Sequence, residues 1–377
     1  MRGVWYAVVL TTGGYCAPGN PVLAAAAPAG LAGLPSTNAP LASGDGVRLA
    51  ARLGAGTVDM DALQVHPTGF VPLGDAPPAG EGAAAAAVAP PPPPTVFLAP
   101  EALRGCGGVL LDAAGGRFVN ELDARDVVTA AMTAAAAGGG GGDGRRRVFL
   151  VLSAAAVGAF GEATAAFYAA RGLMARIPPP SAAADGGGGG VLAALDARVG
   201  LPAAAVAATL AAYARSVGGV ADGTSKKVFP QAVSYELERL EREGLWVAAV
   251  TPALHYSMGG LTFSASAEVL SAATAKPIRR LYAAGEVTGG LFGGNRLGGC
   301  SLLDCAVSVS ALSARSSSRY SEREVSTRYG SRRSLVVRSS SMVPINDDSR
   351  GRVNRGADAE YSEALTPATQ PCAAASS

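Results

Sequence analysis

Apolar residues run through this chain in short blocks, each stopped by glycine or proline. Residues 4–10, from Val4 through Trp5 and Tyr6 to Leu10, are continuously apolar and end at Thr11-Thr12-Gly13-Gly14, which predicts a buried strand and its turn. Residues 47–54 follow Ser43-Gly44-Asp45-Gly46 with helical spacing and stop at Gly54. Further along, residues 147–153 predict a strand, 202–217 an alanine-rich helix and 261–267 an alternating strand. Residues 280–286 predict a strand ending in a glycine turn, and 301–312 a helix that starts just past Gly298-Gly299. From about Arg315 serine and arginine dominate and no period persists, so the tail to 377 is expected to be disordered.

Three low-complexity tracts interrupt these elements. Residues 76–95 lead into Pro90 to Pro94, 134–147 are poly-Ala, poly-Gly and arginine, and 178–190 join a proline run to a glycine run. Such tracts bury no core and predict loops or insertions that decorate a fold. Composition adds exclusions. A net charge of +2 gives no electrostatic case for a nucleic-acid partner. The 5 cysteines show no CxxC spacing and, with 2 histidines, make no metal signature; they read as reduced thiols. No apolar run has the length of a membrane span, and a soluble protein of cytosol or mitochondrion is expected.

The candidate chemistry sits in the turns. Both histidines and two arginines lie in glycine- or proline-marked motifs: His66 before Pro67, Arg104 before Gly105, His255 before Met258-Gly259-Gly260, and Arg296 within Gly293-Gly294-Asn295-Arg296-Leu297-Gly298-Gly299; a third, Arg125, precedes Asp126 in a polar stretch. Donor-rich turns of this kind suit a small dicarboxylate, because a guanidinium matches a carboxylate with two parallel hydrogen bonds. Asp45 at a helix start marks a second place where a ligand can meet backbone N–H groups.

In this order, the motifs Gln64-Val65-His66-Pro67-Thr68-Gly69, Glu101-Ala102-Leu103-Arg104-Gly105, Arg117-Phe118-Val119-Asn120-Glu121 with Arg125-Asp126, His255-Tyr256-Ser257-Met258-Gly259-Gly260 and Ala284-Gly285-Glu286 through Gly299 closely resemble the soluble fumarate reductases. These belong to the FAD-dependent fumarate reductase/succinate dehydrogenase flavoprotein family, with flavocytochrome c relatives. The resemblance runs from about Val4 to Ala306. It implies an α/β fold: a partial Rossmann-like FAD-binding domain (residues 1–64 and 255–310) with an inserted α+β capping domain (65–254) and a tail (311–377). Family members begin with a strand, a Gly-x-Gly-x-x-Gly turn and a helix that cradle the FAD pyrophosphate. No such unit precedes Val4, so the chain is expected to be N-terminally truncated and to hold FAD weakly by itself.

The resemblance also assigns roles. Arg125 is the general acid, and Glu101 with Arg104 relays protons to it. His66, Glu101, His255, Arg296 and Gly299 bind the substrate. Thr12, Asp45, Tyr256, Glu286, Ser301 and Leu302 surround non-covalent FAD, with the Ser301 and Leu302 N–H groups turned to the flavin ring at a helix N-terminus. The family's usual threonine before the glutamate is Pro100 here, which has no hydroxyl to donate, and its usual asparagine is Cys300. The implied reaction is hydride transfer from flavin N5 to fumarate and protonation by Arg125, giving succinate, with an electron donor the sequence does not identify. A related flavoprotein acting on another carboxylic acid, as in urocanate reductases or aspartate oxidases, and a catalytically inactive fragment are the alternatives.

Overall fold

The computed structural model describes residues 7–31, 33–73, 95–138, 148–180, 190–216, 224 and 226–320. In chain order, β1 (Val8–Leu10) leads through Gly13 and Gly14 to α1 (Pro21–Ala26), α2 (Asp45–Ala51), β2 (Thr57–Val58) and β3 (Leu63–Val71). The middle of the chain carries α3 (Glu101–Gly105), β4 (Val109–Leu111), α4 (Arg125–Gly138), β5 (Val148–Ser153), α5 (Ala154–Phe160), α6 (Glu162–Ala169), β6 (Ala175–Ile177), α7 (Gly190–Val199), α8 (Ala203–Arg215) and α9 (Leu237–Glu243). It closes with β7 (Leu245–Ser257), β8 (Gly260–Leu261), β9 (Glu268–Leu270), β10 (Pro277–Ala283) and α10 (Cys300–Tyr320).

The larger sheet is built around β7. β5 pairs along one edge, from Val148↔Val250 to Ser153↔Leu245, and β4 continues beyond it. The other edge is shared: β6 takes Leu245 to Val247, and β3 takes Ala249 to Ser257. All six residues of β5 are buried because both sheet faces are covered. Phe149 and Val151 pack with Leu195, Val206, Leu210 and Leu240 from α7, α8 and α9. Leu150 and Leu152 pack on the opposite face with Val128, Met132, Val157 and Ala165 from α4, α5 and α6. Ser153 ends the strand and starts α5, its Oγ accepting from the Ala156 N–H at 3.1 Å.

The smaller sheet has the order β1-β10-β9, with β1 parallel to β10. Leu10, Leu281, Ala283 and Val287 pack here against Val47 and Ala50 of α2. The domain boundaries read from the resemblance fall inside β3 and β7. These two strands pair from Leu63↔Ser257 to Val71↔Ala249, so a two-stranded ribbon runs across both positions.

Four details differ from the patterning. β1 is not buried: Val8 and Val9 are 53% and 46% exposed, since only β10 pairs with it, and Leu10 alone reaches the core. Residues 261–267 do not form one strand. The Ser264 Oγ accepts from the N–H groups of Ser266 and Glu268 at 3.2 Å, turning the chain back into β9. The poly-Ala tract starts as helix rather than loop, with α4 running to Gly138, as alanine's propensity favours. Finally, α10 runs to Tyr320, past the composition change at Arg315. Its serines return their hydroxyls to the preceding turn, Ser310 to the Ala306 carbonyl at 2.8 Å and Ser313 to that of Val309 at 3.0 Å. The residues beyond 320, expected to be disordered, the proline run and most of the two glycine runs lie outside the described residues.

Candidate active site

β3 carries His66, which is 1% exposed. Its Nδ1 lies 3.1 Å from the Thr68 carbonyl and 3.2 Å from the Thr68 N–H, so the local backbone fixes the ring. The ring of His255, from β7, stands 5.2 Å away. Thr37 holds that second ring through Oγ1, 2.8 Å from Nδ1. Burial first, then the charges of nearby groups, lowers His66 to about 2 and His255 to about 4. Both imidazoles are therefore neutral at ordinary pH.

α4 begins at Arg125 and α3 at Glu101, and the two side chains meet. Arg125 donates from Nε (3.2 Å) and Nη2 (2.8 Å) to one oxygen, Glu101 Oε2. The carboxylate side chain is half exposed while the guanidinium side chain is 10% exposed. Burial pushes the Glu101 carboxyl up, but the Arg125 hydrogen bonds and charge outweigh it and hold the carboxyl below its ordinary value. Arg104 does not pair with Glu101, although the two share α3. It is 1% exposed and donates Nη1 to the Glu121 carbonyl, while its Nε and Nη2 have no partner. Burial lowers its pKa from the usual arginine value. The Glu121 carboxylate accepts from Arg117 Nε and Lys226 Nζ, each at 2.6 Å, and the Glu121 and Lys226 side chains are fully buried.

Arg296 enters from the glycine loop before α10. Its Cζ lies 4.2 Å from the centroid of the Tyr256 ring, a cation–π contact. Nη1 donates to the Leu297 carbonyl at 3.2 Å, and Nε is buried without a partner. Burial, then Arg125, lowers its pKa. The loop reaches this position because two glycine segments cross: a Cβ at Gly260 would lie 2.5 Å from the Val287 carbonyl oxygen, and one at Gly289 would lie 2.2 Å from the Gly260 nitrogen. His66, Glu101, Arg104, Arg125, His255 and Arg296 thus come from five separate segments into mutual electrostatic reach. Three guanidiniums face one carboxylate there, so the cluster is cationic and suits a dianion.

A second set of residues adjoins it. The Ser257 N–H and Oγ donate to Glu286 Oε1 at 2.9 and 3.0 Å, and burial raises the Glu286 pKa. Burial raises Tyr256 also. Gly14 packs so closely that a Cβ would sit 2.1 Å from Ser257 Oγ. Thr12 is exposed, and Asp45 sits on the first turn of α2, accepting from Arg48 at 3.1 Å. Gly293, Gly294 and Gly299 have open space where a side chain would be, and Ser301 and Leu302 lie in the first turn of α10, Leu302 76% exposed. Bare backbone in front of a long helix N-terminus, beside a buried carboxylate and tyrosine, fits the ring and polyol end of FAD. A cavity of about 760 Å³ between the turn at 262–267, the segment 289–292 and α10 is lined mainly by apolar groups such as Phe263, Leu291, Phe292 and Leu303, and does not include the cationic cluster.

The motifs contain four residues that carry no assigned role, Gln64, Asn295, Asp126 and Ser257, and Thr37 lies outside every motif. Gln64 was legible, since it lies two positions before His66 on a strand and so on the same face. Thr37 and Asn295 carried no local signal.

The FAD binding domain family matches residues 3–302 of the chain. Fumarate reductase 1 of Saccharomyces cerevisiae is 33% identical over 280 residues, which is 74% of this chain and 52% of that protein. The fumarate reductase of Schizosaccharomyces pombe is 34% identical over 310 residues, 81% of this chain and 51% of that protein. The chain thus spans about half the length of these relatives. An open-conformation flavocytochrome c3 fumarate reductase superposes with a TM-score of 0.55 at 25% identity, covering 81% of this chain and 45% of that one. Among the described residues, no helix is long and apolar enough to cross a membrane, and no cluster of ligating side chains suits a metal ion.

Proposed function

The chain belongs to the FAD-dependent fumarate reductase/succinate dehydrogenase flavoprotein family, and from this we propose that the protein carrying it reduces fumarate to succinate. Arg296 and His255 bind one carboxylate, the guanidinium by its fork and the neutral imidazole by a single donor. His66 binds the other carboxylate, with its Nδ1 committed to Thr68 and Nε2 left for the substrate. Gly299, open at Cα, offers its N–H beside the first carboxylate. Thr12, Asp45, Tyr256, Glu286 and the N–H groups of Ser301 and Leu302 hold FAD without a covalent link. Once bound and reduced by an electron donor, FAD would supply hydride to one alkene carbon.

Arg125 gives a guanidinium proton to the opposite carbon and recovers one from Glu101. An arginine is a weak acid, so placement rather than pKa matching must carry the step. Glu101 is the only member of the ion pair in open contact with solvent, and its two hydrogen bonds from Arg125 make the reloading path a single link. This ion pair is the observation that carries the reading. Arg104 does not stand in that link; its charge favours the ionised form of Glu101.

The test is fumarate-dependent oxidation of reduced methyl viologen by the purified protein supplied with FAD, with flavin binding read separately by absorbance. Turnover on fumarate, with urocanate inactive as an acceptor and aspartate inactive as a reductant of the flavin, is the expected result. Bound flavin with no fumarate turnover would overturn it.

A further inference from the structure

Gln64 has no part in the chemistry above, yet it is 3% exposed at the centre of the site. Both ends of its amide are engaged. Oε1 accepts from Arg125 Nη1 at 3.0 Å, and Nε2 donates to Asn295 Oδ1 at 2.5 Å. Asn295 passes the connection on, donating Nδ2 to Asp126 Oδ1 at 2.9 Å. The arrangement is reciprocal in sequence. Asp126 follows Arg125 at the start of α4, and Asn295 precedes Arg296 in the glycine loop, so each arginine has a neighbour tied to the other's segment. The two guanidiniums repel, as the effect of Arg125 on Arg296 records. A neutral amide with one acceptor and one donor joins the segments without adding charge, which neither a carboxylate nor a cation can do.

We propose that Gln64 and Asn295 form a positioning bridge that fixes the aim of Arg125 relative to Arg296, so that proton donor and carboxylate clamp are held as one unit. The consequence for turnover rests on the fumarate-reductase reading; the bridge itself does not. A leucine at 64 removes both arms. A glutamate keeps an acceptor for Arg125 and loses the donor to Asn295.

The bridge is tested on the full chain without flavin or substrate, by urea unfolding of wild type, Gln64→Leu, Asn295→Ala and the double variant. The loss in the double variant should fall short of the product of the two single losses in the unfolding constant by about 3-fold or more. Strictly multiplicative losses would overturn the bridge. Viologen-linked kinetics then test positioning. Gln64→Leu should lower kcat about 10-fold or more with KM within about 3-fold, and Gln64→Glu, which keeps only the arm to Arg125, should recover part of that loss and stay below wild type. Unchanged kcat in Gln64→Leu, or equal losses in both variants, overturns the positioning role. A wild-type protein that binds flavin but reduces no fumarate would end the reaction reading alone, and the unfolding cycle would still decide the bridge.

Discussion

Glu101 Oε2 accepts two hydrogen bonds from Arg125, at 3.2 and 2.8 Å, and the carboxylate is the side of the pair that meets solvent. A buried guanidinium is thereby joined to water through one ionisable group. That geometry separates substrate grip from proton supply.

Proton supply can be removed by itself. Arg125→Ala should lower kcat about 100-fold or more while flavin titration and succinate affinity change little. Glu101→Gln keeps the shape but not the proton carrier, and should lose kcat in the same direction with KM within about 3-fold. Steady-state kinetics check both; an Arg125→Ala enzyme retaining above about a tenth of wild-type kcat removes the proton-donor assignment.

Grip depends on the fork of Arg296. The guanidinium stacks on Tyr256 at 4.2 Å and carries an unpartnered buried Nε, so its plane is set and a donor is free. Arg296→Lys should cost about 3 kcal/mol, roughly 100-fold in kcat/KM, because a point charge copies neither the fork nor the stack. A loss below about 5-fold in fumarate kinetics would show that Arg296 is only a turn residue.

The histidine pair makes stability pH-dependent. His66 at about 2 and His255 at about 4 lie below the ordinary 6.5, so the unfolded chain binds protons that the folded chain refuses. Stability is full above about pH 6.5 and falls as the pH drops toward the folded values, on the order of 2 kcal/mol per histidine by about pH 5. The chain has 2 histidines, so His66→Gln/His255→Gln should flatten the urea midpoint between about pH 7 and 5. An undiminished slope in the double variant assigns the effect to other groups.

Gly14 tests the FAD side. A Cβ there would lie 2.1 Å from Ser257 Oγ and 2.3 Å from Glu286 Oε1, forcing apart the pair that orients the buried carboxylate. Gly14→Ala should destabilise the chain by about 1–3 kcal/mol and weaken FAD binding about 10-fold or more. Flavin absorbance titration with a parallel urea curve separates the two effects; unchanged FAD affinity would take Glu286 out of the cofactor site.

The sequence by itself determined the local elements and the chemical inventory. The apolar block of residues 147–153 became β5, the alanine-rich 202–217 became α8, and the motifs holding His66, Arg125, His255 and Arg296 supplied the cationic cluster. These were legible because strand and helix periods and turn glycines act over a few residues. What the tertiary structure decided are the partners. Sequence spacing joins Glu101 to Arg104 three residues away, whereas the packed molecule joins it to Arg125 and sends Arg104 to Glu121. Gln64 and Asn295 stand 231 residues apart, and no local pattern links them. Their contact exists because β7 pairs with β3 and the glycine segments at 260 and 289 cross at backbone distance, which brings the loop of Arg296 over the start of α4. Exposure was likewise a property of packing: the apolar block at β1 carries the same residue types as β5, but a strand is buried only where other elements cover both its faces.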